Sequence, residues 1–134
     1  MPRLSAWLIR TALIYLLLGF TLGGLLLWHK GLSLNPALWR LLPAHMEFLL
    51  LGWTVHLVMG VAYWILPRIR TKRPLTALVW LSFCLLNGGI GLVTISGFVE
   101  FTTTARLAGR MLEVGAIMAF AAHAWLRVKP TSLS

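Results

Sequence analysis

The sequence predicts an all-α integral membrane protein, a bundle of four helices that run alternately up and down. Its 134 residues are 59% hydrophobic and only 11% charged, whereas soluble domains are about half apolar and a quarter charged. The apolar residues fall into four segments, each near the length of about 20 residues that a helix needs to cross a bilayer. The breaks between these segments are short. A chain of this size forms one domain, which covers residues 1–134.

The predicted spans are separated by breaks that contain Pro, Gly and basic residues. The spans run from Ala6 to Trp28, Leu41 to Leu66, Leu75 to Phe98, and Ala105 to Leu126. The first break ends at Asn35-Pro36, and the second, residues 67–74, has a proline at each end and four basic residues between them. The third break, residues 98–104, is less polar. Because short loops place consecutive helices side by side, we expect antiparallel neighbours.

Basic residues are divided unequally between the two ends of the predicted bundle. The end that holds both termini and the second loop carries Arg3, Arg10, Arg68, Arg70, Lys72, Arg73, Arg127 and Lys129. The other end carries Lys30, Arg40, Arg106 and Arg110. Since Lys and Arg accumulate on the cytoplasmic side, both termini should face the cytoplasm, in the inner membrane of a bacterium or archaeon. The net charge of +9 then indicates topology and contact with anionic lipid, not nucleic acid.

Several kinds of chemistry are excluded by composition. The chain has no Asp and a single cysteine, so a Ser-His-Asp triad and a disulfide scaffold are both excluded. Ionisable and strongly polar residues inside spans are costly and are therefore candidates for function. These residues are His45, Glu47, His56, Asn87, Arg110, Glu113 and His123, with His29 at the rim of the first span, where its ring should lean toward water.

The second span holds two histidines with glycines beside one of them. His45 and His56 are eleven residues apart, which is just over three turns of a regular α-helix, so both should project from one face. Gly52 and Gly60 lie one turn before and one turn after His56. A histidine can ligate haem iron, and glycines would let the flat ring lie close to the backbone. The alternative is that the histidines bond to a neighbouring helix and the glycines pack helices together.

The third and fourth spans have further candidates. Asn87-Gly88-Gly89 predicts close helix packing with one interhelical hydrogen bond. His123 lies near the cytoplasmic end and could meet His56 across a haem if their helices are neighbours. Arg106 and Arg110 lie near the outer end with Glu113. They either form an Arg110–Glu113 ion pair with Arg106 reaching the interface, or pair with haem propionates.

The second span also resembles a known helix. The matching residues are Pro43-x-His45, Gly52-Trp53, Gly60, Tyr63-Trp64 and Pro67-Arg68. This pattern resembles the second helix of subunit I of the haem-copper oxidases, above all the cbb3-type oxidase and nitric-oxide reductase branch and short four-helix subunit I-like proteins. The resemblance implies that His45 is an axial ligand of a low-spin haem. His56 has no counterpart in that pattern, so its candidacy rests on helix geometry alone.

The expected function is electron transfer through haem b, one or two per chain. The chain has four histidines, too few for the haem-copper active site, so copper and enzymatic activity on its own are not expected. The family's subunit is arranged as four-helix arcs, and this chain has the size of one arc. That resemblance, and the lack of a second ligand at the depth of His45, predict a homo-oligomer with haem at the subunit contact.

Two other functions stay open in the sequence. The first is a non-haem accessory or assembly subunit of a respiratory membrane complex. The second is a small transporter, which the absence of acidic residues from the first span disfavours. The sequence does not identify the redox partner, and a respiratory protein and a quinone both stay open.

Overall fold

The computed structural model describes residues 1–33, 35–67, 75–98, 103–125 and 127–128, and these residues form four long helices. The helices are α1 (Arg3–Leu32), α2 (Pro36–Ile65), α3 (Thr76–Phe98) and α4 (Thr103–Trp125). Each is long enough and apolar enough to cross a membrane, by length and composition. The predicted fold class of four apolar helices is therefore confirmed. Several parts of the chain lie outside the described residues. These are Leu126, Lys129, the four basic residues of the second loop, and residues 99–102 in the third break.

The connection between α1 and α2 is shorter than the sequence predicts. Helix α1 continues to Leu32 and ends at Ser33, which adopts the left-handed conformation with φ 49° and donates its N–H to the carbonyl of His29 at 2.7 Å. Helix α2 begins with a 3₁₀ turn, Pro36–Leu41. The Asn35 side chain caps this turn by accepting from the N–H of Ala37 at 2.9 Å. With these capping hydrogen bonds, both helices extend into residues that the sequence predicted to be loop.

Helix α2 is not a uniform α-helix. It is α-helical over Leu42–Glu47, π-helical over Phe48–Val55 and α-helical again over His56–Ile65. Because π-helical hydrogen bonds span five residues, this stretch takes more residues per turn and rotates everything after it. The prediction that His45 and His56 project from one face is therefore wrong. His45 bonds to α1, whereas His56 bonds to α3.

Helices α1 and α2 are antiparallel along their whole length. Near the N-terminus of α1, the Ser5 hydroxyl donates to the carbonyl of Gly60 at 2.7 Å. Further along α1, Tyr15 lies against Gly52, and still further Gly23 lies against His45. Residues later in α1 therefore contact residues earlier in α2, as in any antiparallel pair. Small residues at these contacts let the two helices approach closely.

Helices α3 and α4 also pack as an antiparallel pair. The Ser82 hydroxyl donates to the carbonyl of Ala116 at 2.6 Å, and further along α3 Gly89 meets Gly109 of α4. Between the two pairs, Asn87 of α3 bonds to His56 of α2. Helices α1 and α2 therefore run in opposite directions, and so do α3 and α4.

The bundle has an apolar core, and much of its outer surface is apolar as well. The core contains Leu4, Leu8, Met59, Tyr63, Val79, Leu86, Ile90 and Ala116. Large side chains such as Trp7, Leu17 and Trp125 are exposed on the outside. A surface of this kind suits contact with lipid hydrocarbon.

Candidate functional site

His45 is held against α1 in a defined orientation. Its Nδ1–H donates to the carbonyl oxygen of Gly19 at 2.7 Å. A ring N–H bound to a backbone carbonyl fixes the tautomer and leaves Nε2 as the nitrogen with a free lone pair, an arrangement common in metal-ligating histidines. The ring occupies the space beside Gly23 that a side chain would otherwise fill. A Cβ atom on Gly23 would lie 2.7 Å from Cε1 of His45. Gly19 and Gly23 were missed in the sequence, although their spacing of one turn indicates a shared face.

A cavity of about 500 Å³ lies beside this imidazole, between α1 and the beginning of α2. Its size is in the range of small-molecule and cofactor sites. Apolar walls come from Phe20, Gly23, Gly24, Leu26, Leu27, Trp39, Leu42 and Leu49. The other two lining residues are His45 and Lys30. The cavity is therefore mostly apolar, with a histidine and a lysine among its lining residues.

His56, in contrast, is fully buried and both of its nitrogens are engaged. Nδ1–H donates to the carbonyl of Leu51 at 3.3 Å, and Nε2 accepts from Nδ2 of Asn87 at 3.0 Å. Asn87 also donates to the carbonyl of Phe83, and its Oδ1 accepts from the Tyr15 hydroxyl at 2.9 Å. The interhelical hydrogen bond predicted for Asn87 is thus present, and it is one of several. His56 therefore follows the alternative that the sequence left open, in which the histidine bonds to a neighbouring helix.

Gly52 and Gly60 do not border open space. A Cβ atom at Gly52 would lie 2.5 Å from Cγ of Tyr15, and one at Gly60 would lie 2.8 Å from Cγ1 of Ile9. Side chains of α1 therefore occupy the volume that a macrocycle would need beside these glycines. Their observed role is to let α1 and α2 approach closely.

His123 belongs to a cluster at the opposite end of the bundle. Its Nε2 accepts from Nη1 of Arg127 at 2.9 Å, and its ring packs 5.5 Å from the ring of Tyr63. Arg127 is fully buried and also donates to the carbonyls of Tyr63, Leu66 and Pro67, at the C-terminal end of α2. The sequence treated Arg127 only as a topology residue, since a buried cap on a neighbouring helix has no local pattern.

His29 lies at the turn between α1 and α2. Its Nδ1 accepts from the backbone N–H of Asn35 at 3.2 Å, and its ring meets the edge of Trp39 at 5.8 Å. It is 6% exposed, so the expectation that its ring leans toward water is wrong. The 3₁₀ turn that begins α2 covers it.

Arg110 forms an ion-pair cluster instead of an arginine pair. Its Nη1 and Nη2 donate to the two oxygens of Glu47 at 2.9 Å each, and Nη1 also donates to Oε2 of Glu113 at 2.8 Å. The ion-pair alternative is therefore the observed one, with Glu47 as a partner that the sequence missed. Arg106 is exposed on α4. Arg110 lines a separate cavity of about 430 Å³ together with Glu47.

The fold and site define a helical protein whose four helices are long and apolar enough to cross a membrane. No protein-family model, no curated protein and no solved structure matches this chain. The resemblance of α2 to a haem-copper oxidase helix stays a prediction. Within the described ranges, no three His, Cys, Asp or Glu residues are grouped closely enough to hold a metal ion by themselves. The function is therefore argued from the chemistry of individual residues.

Proposed function

We propose that this chain is a haem b-binding membrane protein that transfers electrons, with Nε2 of His45 as an axial ligand. The observation that supports it best is the orientation of His45. Its Nδ1–H is bound to Gly19, and its ring borders an apolar cavity of about 500 Å³. Haem supplies one-electron chemistry when bound, and the protein contributes ligation, orientation and the surrounding dielectric.

The residues around the cavity suit the ring and the propionates of a haem. Gly24 leaves open space along α1, because a Cβ atom there would meet no atom within 4 Å. Lys30 lines the same cavity, and its ammonium group would pair with a propionate carboxylate. It takes the role that the sequence had considered for Arg106 and Arg110, because Arg110 is bound to two glutamates.

The second axial ligand would come from a second copy of the chain. In the part of the chain that the structure describes, His29, His56 and His123 each use a ring nitrogen as an acceptor of another hydrogen bond. Phe20 and Leu27, which line the cavity, are 65% and 71% exposed, so the cavity reaches the outer surface of the bundle. A closed homo-oligomer would cover this opening and complete the iron coordination.

The proposed location is the inner membrane of a bacterium or archaeon, with both termini in the cytoplasm. The eight-to-four distribution of Lys and Arg supports this orientation. A reporter fused after Ser134 should be active only on the cytoplasmic side, and periplasmic activity would invert the topology. Lipid contacts the exposed apolar faces, and a respiratory protein or a quinone would exchange electrons with the haem.

The experiment that tests the proposal is a pyridine haemochrome assay with a reduced-minus-oxidised spectrum. Wild-type protein should show b-type haem, His45→Ala should lose the low-spin signal, and His29→Ala, the matched control, should keep it. Native mass spectrometry of the same sample gives the number of chains per haem. A haem-loaded monomer with a low-spin spectrum would contradict the shared site. Unchanged haem in His45→Ala would exclude His45 as the ligand.

A second candidate is a non-haem accessory or assembly subunit of a respiratory membrane complex. The observation that favours it is that three of the four histidines use a ring nitrogen as a hydrogen-bond acceptor within the chain. Colourless protein after haem-supplemented expression, with helical content intact, would support this candidate over the first.

A further inference from the structure

Two buried glutamates share one arginine between α2 and α4. Glu47 and Glu113 are each 5% exposed. Arg110 contacts both oxygens of Glu47 but only one oxygen of Glu113, Oε2. The guanidinium is therefore matched to Glu47 as a two-pronged pair, which is the strongest geometry for this kind of contact. Glu113 receives one hydrogen bond, from Nη1 of Arg110, which also donates to Glu47.

The other carboxyl oxygen of Glu113 is buried without a hydrogen bond. Among the described residues, Oε1 has no partner. On its α3 side the glutamate lies against Gly89, where a Cβ atom would be 2.7 Å from Cγ of Glu113. A buried ionised carboxylate normally accepts several hydrogen bonds, because burial removes the water that would otherwise stabilise its charge. The described residues around Oε1 do not provide them.

The charges of the cluster do not balance if all three groups are ionised. Two carboxylates and one guanidinium leave one negative charge. Helix α3, which packs against Glu113, has no charged residue. On α4 the nearest other charge is Arg106, one turn from Arg110 and exposed, and on α2 it is Arg40, in the exposed 3₁₀ turn. An uncompensated charge inside an apolar helix bundle is energetically costly.

We propose that Glu113 is a proton-binding site: it holds a proton, while Glu47 stays ionised on Arg110. The cluster is then electrically neutral, and the proton converts the Glu113 carboxylate, with its unpartnered Oε1, into an uncharged carboxyl group. The Arg110 side chain is 48% exposed and lines, with Glu47, the cavity of about 430 Å³. This cavity gives the cluster a route for exchanging the proton. The proposal does not depend on haem binding.

Infrared spectroscopy of the full chain in lipid at neutral pH tests the proposal directly. The carbonyl stretch of a protonated carboxyl group is separate from that of a carboxylate and shifts in D₂O. The chain has only three acidic side chains, Glu47, Glu100 and Glu113, so the band can be assigned by single substitutions. Wild-type protein should show one protonated carboxyl per chain, and Glu100→Gln, the control, should also show one.

The two cluster variants separate the proposal from a simple structural role. Glu113→Gln should lose the band because the protonated group is gone. Glu47→Gln should lose it as well, because Glu113 then becomes the only partner of Arg110 and ionises. Absence of the band from wild-type protein, or its survival in Glu113→Gln, would overturn the proposal. Survival in Glu47→Gln would overturn the charge balance on which it rests.

Discussion

The imidazole of His45 packs directly against Gly23, and a side chain on Gly23 would exclude it: a Cβ atom there would lie 2.7 Å from Cε1 of the ring. One turn earlier on α1, the carbonyl of Gly19 accepts the Nδ1–H of the same ring at 2.7 Å. Helix α1 thus supplies both the space and the hydrogen bond that orient His45. The glycines of α2 that the sequence analysis emphasised, Gly52 and Gly60, instead accommodate side chains of α1.

Replacing Gly23 with Ala should displace His45 and reduce haem content. The added methyl group cannot share the space with the imidazole, so the Gly19 bond lengthens and Nε2 turns away from the cavity. We expect a weaker low-spin band in the reduced-minus-oxidised spectrum, at equal helical content. Gly31→Ala is the control, because a Cβ atom at Gly31 meets no other atom within 4 Å. Equal haem content in both variants would show that the position of the ring does not matter.

His56→Ala should leave haem content unchanged and lower stability. Both nitrogens of His56 bond within the chain, so we expect no iron ligation there and the same haem-to-protein ratio as in the wild type. Truncation removes one hydrogen bond from the Asn87 amide and one from the Leu51 carbonyl and opens a cavity, at a cost of about 2–4 kcal/mol. Denaturant unfolding in detergent measures this loss. In Asn87→Ala and the double variant the losses should be non-additive, because both residues serve one bond. A drop in haem content would restore His56 as a ligand.

Much of the fold could be predicted from the sequence because membrane spans are long and uniform in hydropathy. The existence and order of the four helices followed from apolar length alone. Their ends differed by a few residues, since caps such as Asn35 act through local hydrogen bonds. The π-helical stretch of α2 could not be predicted. The sequence Phe48–Val55 has no proline, and the wider turns become visible only in backbone bonding.

The candidate site was predicted less completely than the fold. His45 was found because an ionisable residue in a span is conspicuous, and its partners Gly19 and Gly23 on another helix were not. The Arg110–Glu113 pair was predicted from its spacing within α4, but Glu47 meets Arg110 only because α2 and α4 lie side by side, 63 positions apart in sequence. Contacts of that kind depend on tertiary packing, which helical periodicity within one segment does not encode.

Gly89→Ala should destabilise the pairing of α3 with α4. A Cβ atom there would lie 2.8 Å from the carbonyl oxygen of Gly109, and this backbone atom cannot move without shifting α4. We expect a loss of about 1–3 kcal/mol, the usual cost of overpacking. Gly91→Ala, two residues further on the same helix, meets no atom within 4 Å and should gain up to about 1 kcal/mol of helix propensity. Thermal unfolding in detergent compares them, and equal melting temperatures would contradict the close approach.

Arg127→Ala should loosen the C-terminal end of α2. Arg127 donates to the carbonyls of Tyr63, Leu66 and Pro67 and to Nε2 of His123. Helix α2 ends at Ile65, so these are among the carbonyls that a helix end leaves without backbone partners. Loss of several bonds to a charged, buried donor should cost about 3–5 kcal/mol.

Hydrogen exchange distinguishes this local role from a general loss of stability. Amides in the last turn of α2 should exchange faster in Arg127→Ala, while those near Gly52 keep their rates under conditions where the protein stays folded. Arg127→Lys should restore only part of the protection, because an ammonium group lacks the planar fork that reaches several acceptors at once. Arg3→Ala, at an exposed basic position, is the control and should leave the exchange unchanged. Identical exchange in Arg127→Ala and Arg3→Ala would show that the guanidinium does not hold the end of α2.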